Sequence, residues 1–490
     1  VPPRPRIAVN QDKGDVFAAA VDGIEASNEP PVLFRRGGLL SRIGRDDENL
    51  PVIIPLSRSA LRAQLAVSLR WVKDGRDGES PVPPDDVALD GVFTHADRMR
   101  GVPVIDQVVT APVFAPNGVL ELNEGYSPHT HSWYEAPRGM QLYRIPDRPQ
   151  QRDASAALAW LAGEYLGDFP FDGEPSRMRA LSLLLMPFAR MLVDGPVPLY
   201  TAESATPGTG KGLLQRACLL PALGTRLPVS SGVLSDDAEL RKSITTQLMR
   251  GHPVIRWDNV ACKIDSPVLA ALVTEPVWHD RMLGMNVGAE IAVRAICAVN
   301  GNNLRFSQEM ARRLATVRID AVTEHPEHRT GFRHGDLIRW GTQNRGLLVT
   351  AALTVVKAWL CAGRPPGHGT MGSFESWAAV MGGIVEHATG WRGVLLDGLD
   401  LAYESGTDER SDLADFLAAW FAEYGSTQVS VGDVGKLLFE HDPFGLPEAY
   451  GRSRDTQVGF HLHRIKGQVY NGLRVQKPTR TSRKWLVQRV

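Results

Sequence analysis

At 490 residues, 43% hydrophobic and 22% charged, the chain is too long for one core and fits two or three domains of ordinary globular composition. A formal net charge of −1 excludes a global pull towards nucleic acid or membrane, so any such affinity has to come from a local patch. Four scattered cysteines (Cys218, Cys262, Cys297, Cys361) with no Cys-x-x-Cys pair exclude a zinc or disulfide framework, and no apolar run reaches a membrane span, which together point to a reducing cytoplasm.

Residues 1–150 mix short strand and helix signals, broken at Pro30-Pro31, Arg36-Gly37-Gly38 and Pro81-Val82-Pro83-Pro84, and predict an α+β accessory domain. Strands are expected at Trp133-Tyr134 and Leu142-Tyr143. His129 and His131 have no carboxylate or thiol beside them and read as surface or packing residues. From about 153 the pattern turns helical, through Ala156, Leu158, Leu161 and Tyr165 and then Met178, Leu181, Leu184, Leu185 and Phe188.

Val197–Ala202 is then an apolar run of strand length. It leads into Ser204-Ala205-Thr206-Pro207-Gly208-Thr209-Gly210-Lys211-Gly212-Leu213-Leu214 and a helical pattern. Strand, glycine-rich loop and helix is the order of a phosphate-binding loop, in which backbone N–H groups cradle phosphate oxygens, a lysine reaches the β- and γ-phosphates and a hydroxyl holds Mg²⁺. Gly210 and Lys211 keep that logic. Ala205 replaces the first glycine and Gly212 replaces the metal-binding Ser or Thr, leaving Thr206 or Thr209 as the available hydroxyls.

Further strands are expected at Leu227–Ser230, Val254–Trp257, Ala292–Val299 and Thr316–Ile319, alternating with helices, which implies a mainly parallel sheet covered on both faces. Asp258 ends the second of these, beside the phosphate loop by expectation, and is the candidate Mg²⁺ ligand. The neighbouring position, where a glutamate would polarise the attacking water, is Asn259; an amide orients water but takes no proton. Glu203 and Glu275 are the other candidates for a base. The run Asn300-Gly301-Asn302-Asn303 at a strand end suits a γ-phosphate sensor, with Asn302 its candidate, and Arg312-Arg313 before the last strand suits an arginine finger supplied to a neighbouring subunit.

From about 345 the chain is helical again, and after Gly406 an amphipathic helix (Leu413, Phe416, Leu417, Trp420, Phe421) opens a last unit. Between Ala449 and Val490 ten Lys or Arg face one acid, Asp455. A helix followed by a two-stranded hairpin is expected there, a winged-helix-like pattern in which Arg464, Lys466, Arg474, Lys477, Arg480, Arg483 and Lys484 are candidate phosphate contacts.

The order phosphate loop, Asp258, Trp278–Gly284, Asn300-Gly-Asn-Asn and Arg312-Arg313 resembles the superfamily 3 helicase domain of phage, plasmid and poxvirus-type primase-helicases, members of the AAA+ class. The resemblance covers roughly residues 150–340. It implies an α/β AAA+ core, ATP and Mg²⁺ bound at the interfaces of a homohexamer, movement on single-stranded or forked DNA, a primase or polymerase partner, and a bacterial host cytoplasm. It also implies a basic pore loop between Asp258 and Asn300, for which this chain offers Lys263 and Arg281. The domain boundaries expected are 1–150 (accessory or collar), 151–345 (ATPase core), 346–405 (its helical extension) and 406–490 (basic, DNA-binding). The runner-up reading is a nucleotide-gated DNA-binding platform that hydrolyses ATP weakly or not at all and recruits partner proteins.

Overall fold

The computed structural model describes residues 4–47, 49–204, 206–225, 227, 229–230, 234–281, 288–302, 304–321, 325–399, 413–437, 454–467, 469–477, 482 and 484–489. They fall into two compact units, residues 1–305 with 313–399 and residues 306–312 with 400–490. Among the described residues no helix is long and apolar enough to cross a membrane.

In the first unit, residues 4–150 mix helices with small sheets. Asp12 and Asp85 start the helices Lys13–Ser27 and Asp86–Thr94 by accepting hydrogen bonds from the first free backbone N–H groups. These helices bury Val16, Ala20, Ile24 and Leu89 against Ile7, Leu33 and Trp71. The strands Leu33–Arg36 and Leu39–Arg45 are joined through Gly37-Gly38 alone, both at positive φ, as a two-residue hairpin requires. Arg36 is buried and donates to the carbonyls of Ile105, Leu248 and Met249, which ties this hairpin to the end of the helix Asp237–Met249. Trp133 and Tyr134 lie in the strand Ser132–Tyr134. Leu142-Tyr143 forms no strand: the Tyr143 N–H donates to Thr350 Oγ1 at 3.0 Å and Leu142 packs against the core, so its backbone is satisfied without a ladder.

The central sheet has four parallel strands: an aspartate strand (Val254–Val260), an amide strand (Ile296–Asn302), a loop strand (Leu199–Ser204) and an arginine strand (Leu314–Arg318), side by side in that order. One face presents Tyr200, Val254, Ile296, Ala298, Ala315 and Val317 to the largest core, which the helices Gly173–Ala189, Lys211–Leu223, Arg345–Cys361 and Glu375–Thr389 complete. Of the strand expected over 227–230, Val229 bridges Arg256 in parallel, and residues 226 and 228 lie outside the described set.

Two sequence expectations are corrected here. The strand expected over Ala292–Val299 is two strands: Gly288–Ala292 pairs antiparallel with Val277–Arg281 as a hairpin, and the amide strand begins only at Ile296. Ala292, Val293, Ala295 and Ile296 are apolar on both sides of the junction, and Arg294 between them is the one charged residue at the break. The second correction concerns adjacency. The strand beside the loop strand is the amide strand, with Asn300 opposite Ala202 and Asn302 opposite Ser204, and the aspartate strand lies one place further out.

In the second unit, helical residues 413–424 and the helices Val431–Leu437 and Arg454–Ile465 enclose Phe416, Leu417, Trp420, Val434, Val458 and Leu462. In place of the expected two-stranded hairpin, the strands Val429–Ser430, Lys484–Arg489, Leu473–Gln476 and Val469–Tyr470 form a four-stranded antiparallel sheet in that order, because Asn471 and Gly472 at positive φ turn the chain between the last two, and its inner face, Val475, Trp485 and Val487, joins the same core. The helix Gln308–Ala311 also belongs to this unit.

Candidate functional site

Gly208 and Gly210 adopt φ of +78° and +97°, a left-handed turn that other residues enter at a cost, and Lys211 opens the helix Lys211–Leu223 at once after it. Thr209 is buried and donates from Oγ1 to Thr206 O at 3.2 Å. Lys211 is only 8% exposed. It curls back on its own loop, donating from Nζ to Thr206 O at 3.2 Å and to Thr209 Oγ1 at 3.1 Å. Burial holds its ammonium below the usual lysine range. Thr209, a candidate hydroxyl for the missing Mg²⁺ ligand, is thus engaged inside the loop by Thr206 and Lys211. Ala205 lies outside the described residues.

The substitution at Gly212 has a structural counterpart. A Cβ there would lie 3.4 Å from Asp258 Oδ1, so the aspartate carboxylate faces the helix position where a Ser or Thr hydroxyl would stand. Asp258 is held by Asn300, whose Nδ2 donates to Asp258 Oδ1 at 2.7 Å and to Gln215 Oε1 at 2.8 Å. Gln215, fully buried on the loop helix, donates in turn to Val299 O at 2.7 Å. Arg256, buried two residues before Asp258, brings Nη1 to 3.5 Å of the same oxygen. Burial lowers its guanidinium from the usual range, and Asp258 opposes that shift. The network joins the loop helix, the aspartate strand and the amide strand through one side chain, Asn300.

Asn259 sits in a bulge of the aspartate strand at φ +51°, and its N–H donates to Asn300 Oδ1 at 3.1 Å. Asparagine enters that left-handed region more readily than glutamate, which gives its presence here a backbone reason. Asn302, opposite Ser204 at the start of the glycine-rich loop, keeps a buried Oδ1 with no hydrogen-bond partner among the described residues. Asn303 lies outside them. Glu203 alternates to the opposite sheet face from Tyr200 and Asn300, and its carboxylate accepts from Arg318 Nε at 2.6 Å. Glu275 caps the end of the helix Pro267–Thr274 and is exposed.

Arg313 is not brought to this loop. Arg313 O accepts from Leu199 N at 2.9 Å, so Arg313 stands at the start of the arginine strand while the glycine-rich loop leaves the far end of the loop strand. A five-residue strand separates them by roughly 17 Å. Arg312 caps the Gln308–Ala311 helix and is exposed. Lys263 is exposed in the loop after the aspartate strand, and Arg281 is exposed at the end of its hairpin strand, opposite Gly288; residues 282–287 lie outside the described set. In the second unit Arg474 alternates with the buried Leu473 and Val475, and Lys484 with the buried Trp485, so both face away from the core. Lys466 is exposed, and Lys477 Nζ lies 4.8 Å from the Trp485 ring centroid. Arg464 lies on the Arg454–Ile465 helix, and Arg480 and Arg483 fall outside the described residues.

Sequence reading missed Asn300 as the central clamp, having favoured Asn302, and missed Gln215 and Arg318 altogether. The register of Ala202 with Asn300 decides the first, and no local signal carries it. It also missed two groups that flank the loop. The Phe169 ring lies 3.6 Å from where a Cβ on Gly210 would be, and Glu327 Oε2 lies 3.1 Å from that of Gly208.

No protein-family model matches the chain, and no curated protein matches it significantly. Among solved structures it is similar to the apo A form of the NrS-1 C-terminal region, at 10% identity and a TM-score of 0.40 over 94% of this chain and 96% of that one. It is similar also to the SCCmec type IV Cch, an active helicase, at 10% identity and a TM-score of 0.36 over 92% and 91%. A third similar structure is the JCV helicase bound to a thiazolopyridine acetamide, at 10% identity and a TM-score of 0.23 over 49% of this chain and 68% of that one.

Proposed function

We propose that the protein is an ATP-dependent DNA helicase of the superfamily 3 type, a replication protein of a phage or other mobile element that moves on single-stranded DNA as a homohexameric ring. The observation that carries this reading is the placement of Asp258 Oδ1 against Gly212 at the mouth of the Lys211 loop, locked there by Asn300. ATP and Mg²⁺ fit the residues present. Two left-handed glycines turn the loop, Lys211 opens the helix behind them, and the Asp258 carboxylate faces the opening of that helix.

In this reading Asp258 would hold the cation, which when bound offsets negative charge on the transferring phosphoryl group. Lys211 exchanges its bonds to Thr206 O and Thr209 Oγ1 for phosphate oxygens. Asn300 fixes the carboxylate and Asn302 reads the γ-phosphate. Asn259 positions water without accepting its proton. Arg313, at the opposite end of the sheet from its own loop, or Arg312 serves the loop of a neighbouring copy. Arg474, Lys477 and Lys484, with Arg464, Lys466, Arg480 and Arg483, neutralise DNA phosphates from a winged-helix-like C-terminal domain, and Lys263 and Arg281 line the pore.

The amide at Asn259 favours a second reading, a nucleotide-gated DNA platform with weak hydrolysis that recruits a primase or polymerase. ATP turnover with and without single-stranded DNA, together with strand displacement on a fork, separates the two. DNA-stimulated turnover with unwinding supports the motor. Nucleotide binding without turnover in either condition rejects it in favour of the platform.

A further inference from the structure

The short 3-10 turn Pro326–His328 carries His325 at its cap and His328 at its end. Residues three apart eclipse in such a turn. The two imidazoles accordingly stack, with centroids 5.3 Å apart and planes at 27°. Glu327 lies between them in sequence and brings Oε1 to 3.1 Å of His325 Nδ1. One ligand atom from each of the three lies within 4.8 Å of the others. Donors bound to one tetrahedral ion at about 2.0–2.1 Å stand roughly 3.3 Å apart, so the pair already fits and His328 has about 1.5 Å to move. That is within reach of an exposed side chain changing its torsions.

Other histidine–carboxylate pairs, His334 with Glu164, His368 with Glu386, His279 with Glu290 and His131 with Asp106, a carboxylate that sequence did not place beside His131, offer two ligands each, whereas this group offers three. The chemistry of two imidazoles and one carboxylate suits a borderline dication such as Zn²⁺, with at least one position left open. The group's location gives it a consequence. Glu327 Oε2 stands 3.1 Å from the Cβ position of Gly208, so its negative charge abuts the turn that receives phosphate.

We propose that His325, Glu327 and His328 form a transition-metal site at the rim of the phosphate loop, and that the bound ion neutralises Glu327 and so favours anion binding at Gly208. Without the ion, Glu327 repels the phosphates. With it, the loop meets a neutral or positive rim. Coupling of this kind is reciprocal. The second half of the proposal rests on the nucleotide reading above, and the first half does not.

The test uses the full chain stripped of metal. Titration with Co²⁺ alone, read by visible absorption, and with Zn²⁺ alone, read by competition with a chromogenic chelator, is expected to show one equivalent bound without a thiolate charge-transfer band. That band would assign the metal to Cys262 or Cys361 and overturn the site. His325→Ala and His328→Ala are each expected to weaken Zn²⁺ by at least about tenfold with an unchanged circular dichroism spectrum. Absence of stoichiometric binding, or full retention in both variants, also overturns it. Glu327→Gln, which removes the charge without metal, is expected to tighten a fluorescent ATP analogue by about threefold or more. Unchanged affinity refutes the electrostatic coupling. Failure of every variant to bind nucleotide refutes the nucleotide reading instead, and the metal titration still decides the site.

Discussion

Replacing Gly212 with serine restores the hydroxyl that a standard phosphate loop carries, and the structure fixes what that hydroxyl would meet. A Cβ at 212 has Asp258 Oδ1 at 3.4 Å and, among the described residues outside its own helix turn, no other contact within 4 Å, an ordinary van der Waals approach, so serine enters there without displacing a described neighbour. Its Oγ can then come within about 2.7 Å of the carboxylate, a normal hydroxyl–carboxylate hydrogen bond. Gly212 has ordinary helical torsions and is the second residue of its helix, where glycine costs about 0.5 kcal/mol relative to serine. Asp258 is part-exposed, so the added bond contributes about 1 kcal/mol rather than the larger value of a buried charged pair. Gly212→Ser is therefore expected to raise unfolding stability by roughly 1–1.5 kcal/mol in denaturant titration. In steady-state ATPase assays the added oxygen beside Asp258 is expected to lower the free Mg²⁺ concentration for half-maximal turnover by about fivefold, equivalent to ~1 kcal/mol. A stability gain with an unchanged Mg²⁺ midpoint would refute the assignment of Asp258 as the cation's ligand. A stability loss would refute the geometry.

If the proposed nucleotide site is right, Lys211→Ala removes its cation and is expected to weaken a fluorescent ATP analogue by at least about a hundredfold, ~3 kcal/mol, while thermal unfolding moves little. Asn300→Ala removes one hydrogen bond each from Asp258 Oδ1, Gln215 Oε1 and the Asn259 N–H and is expected to cost about 2–3 kcal/mol in chemical denaturation, with turnover falling alongside. Arg313→Ala should bind the ATP analogue normally and fail to turn it over, and mixing it with Lys211→Ala subunits should restore part of the activity; no recovery at any ratio would remove the shared-interface arrangement. Arg474→Ala with Lys484→Ala should flatten the slope of log affinity against log salt on single-stranded DNA by roughly 1.4, the share of two phosphate contacts, and an unchanged slope would exclude this face.

What the sequence made legible is local. The loop strand, the glycine turn and the loop helix follow one another within 25 residues, and each is marked by composition: an apolar run, glycines at left-handed positions, then helical spacing. The outer-facing cations of the last hairpin were legible for the same reason, because Arg474 and Lys484 alternate with Leu473, Val475 and Trp485 along strands of period two. What stayed hidden is pairing between strands far apart in the chain. Asn300 and Asn302 are equivalent in sequence, one residue apart from the same glycine. Only the ladder that sets Ala202 against Asn300 makes the first of them the clamp of Asp258 and leaves the second opposite Ser204. Arg318 and Glu203 are 115 residues apart and meet for the same reason. The split at Val293–Ala295 was hard to read because the residues flanking it are buried and apolar as in one continuous strand, and Arg294 alone signals the break.

The parallel register also bears on assembly. All four core strands run the same way, so every strand end that faces the phosphate loop is a C-terminal end, and Arg313, at an N-terminal end, cannot reach the loop of its own sheet without the arginine strand being drawn out of its ladder with Leu199, Tyr200 and Thr201. Breaking a central strand in this way would expose Ala315 and Val317, both fully buried, and forfeit their packing as well as the ladder. If Arg313 takes part in turnover, it therefore does so at a neighbouring copy, and the rate per subunit must fall on dilution below the concentration at which copies associate. A rate per subunit that is independent of concentration, in a preparation that sediments as a monomer, would mean that Asp258, Asn300 and Lys211 suffice, and that Arg313 belongs to the sheet alone.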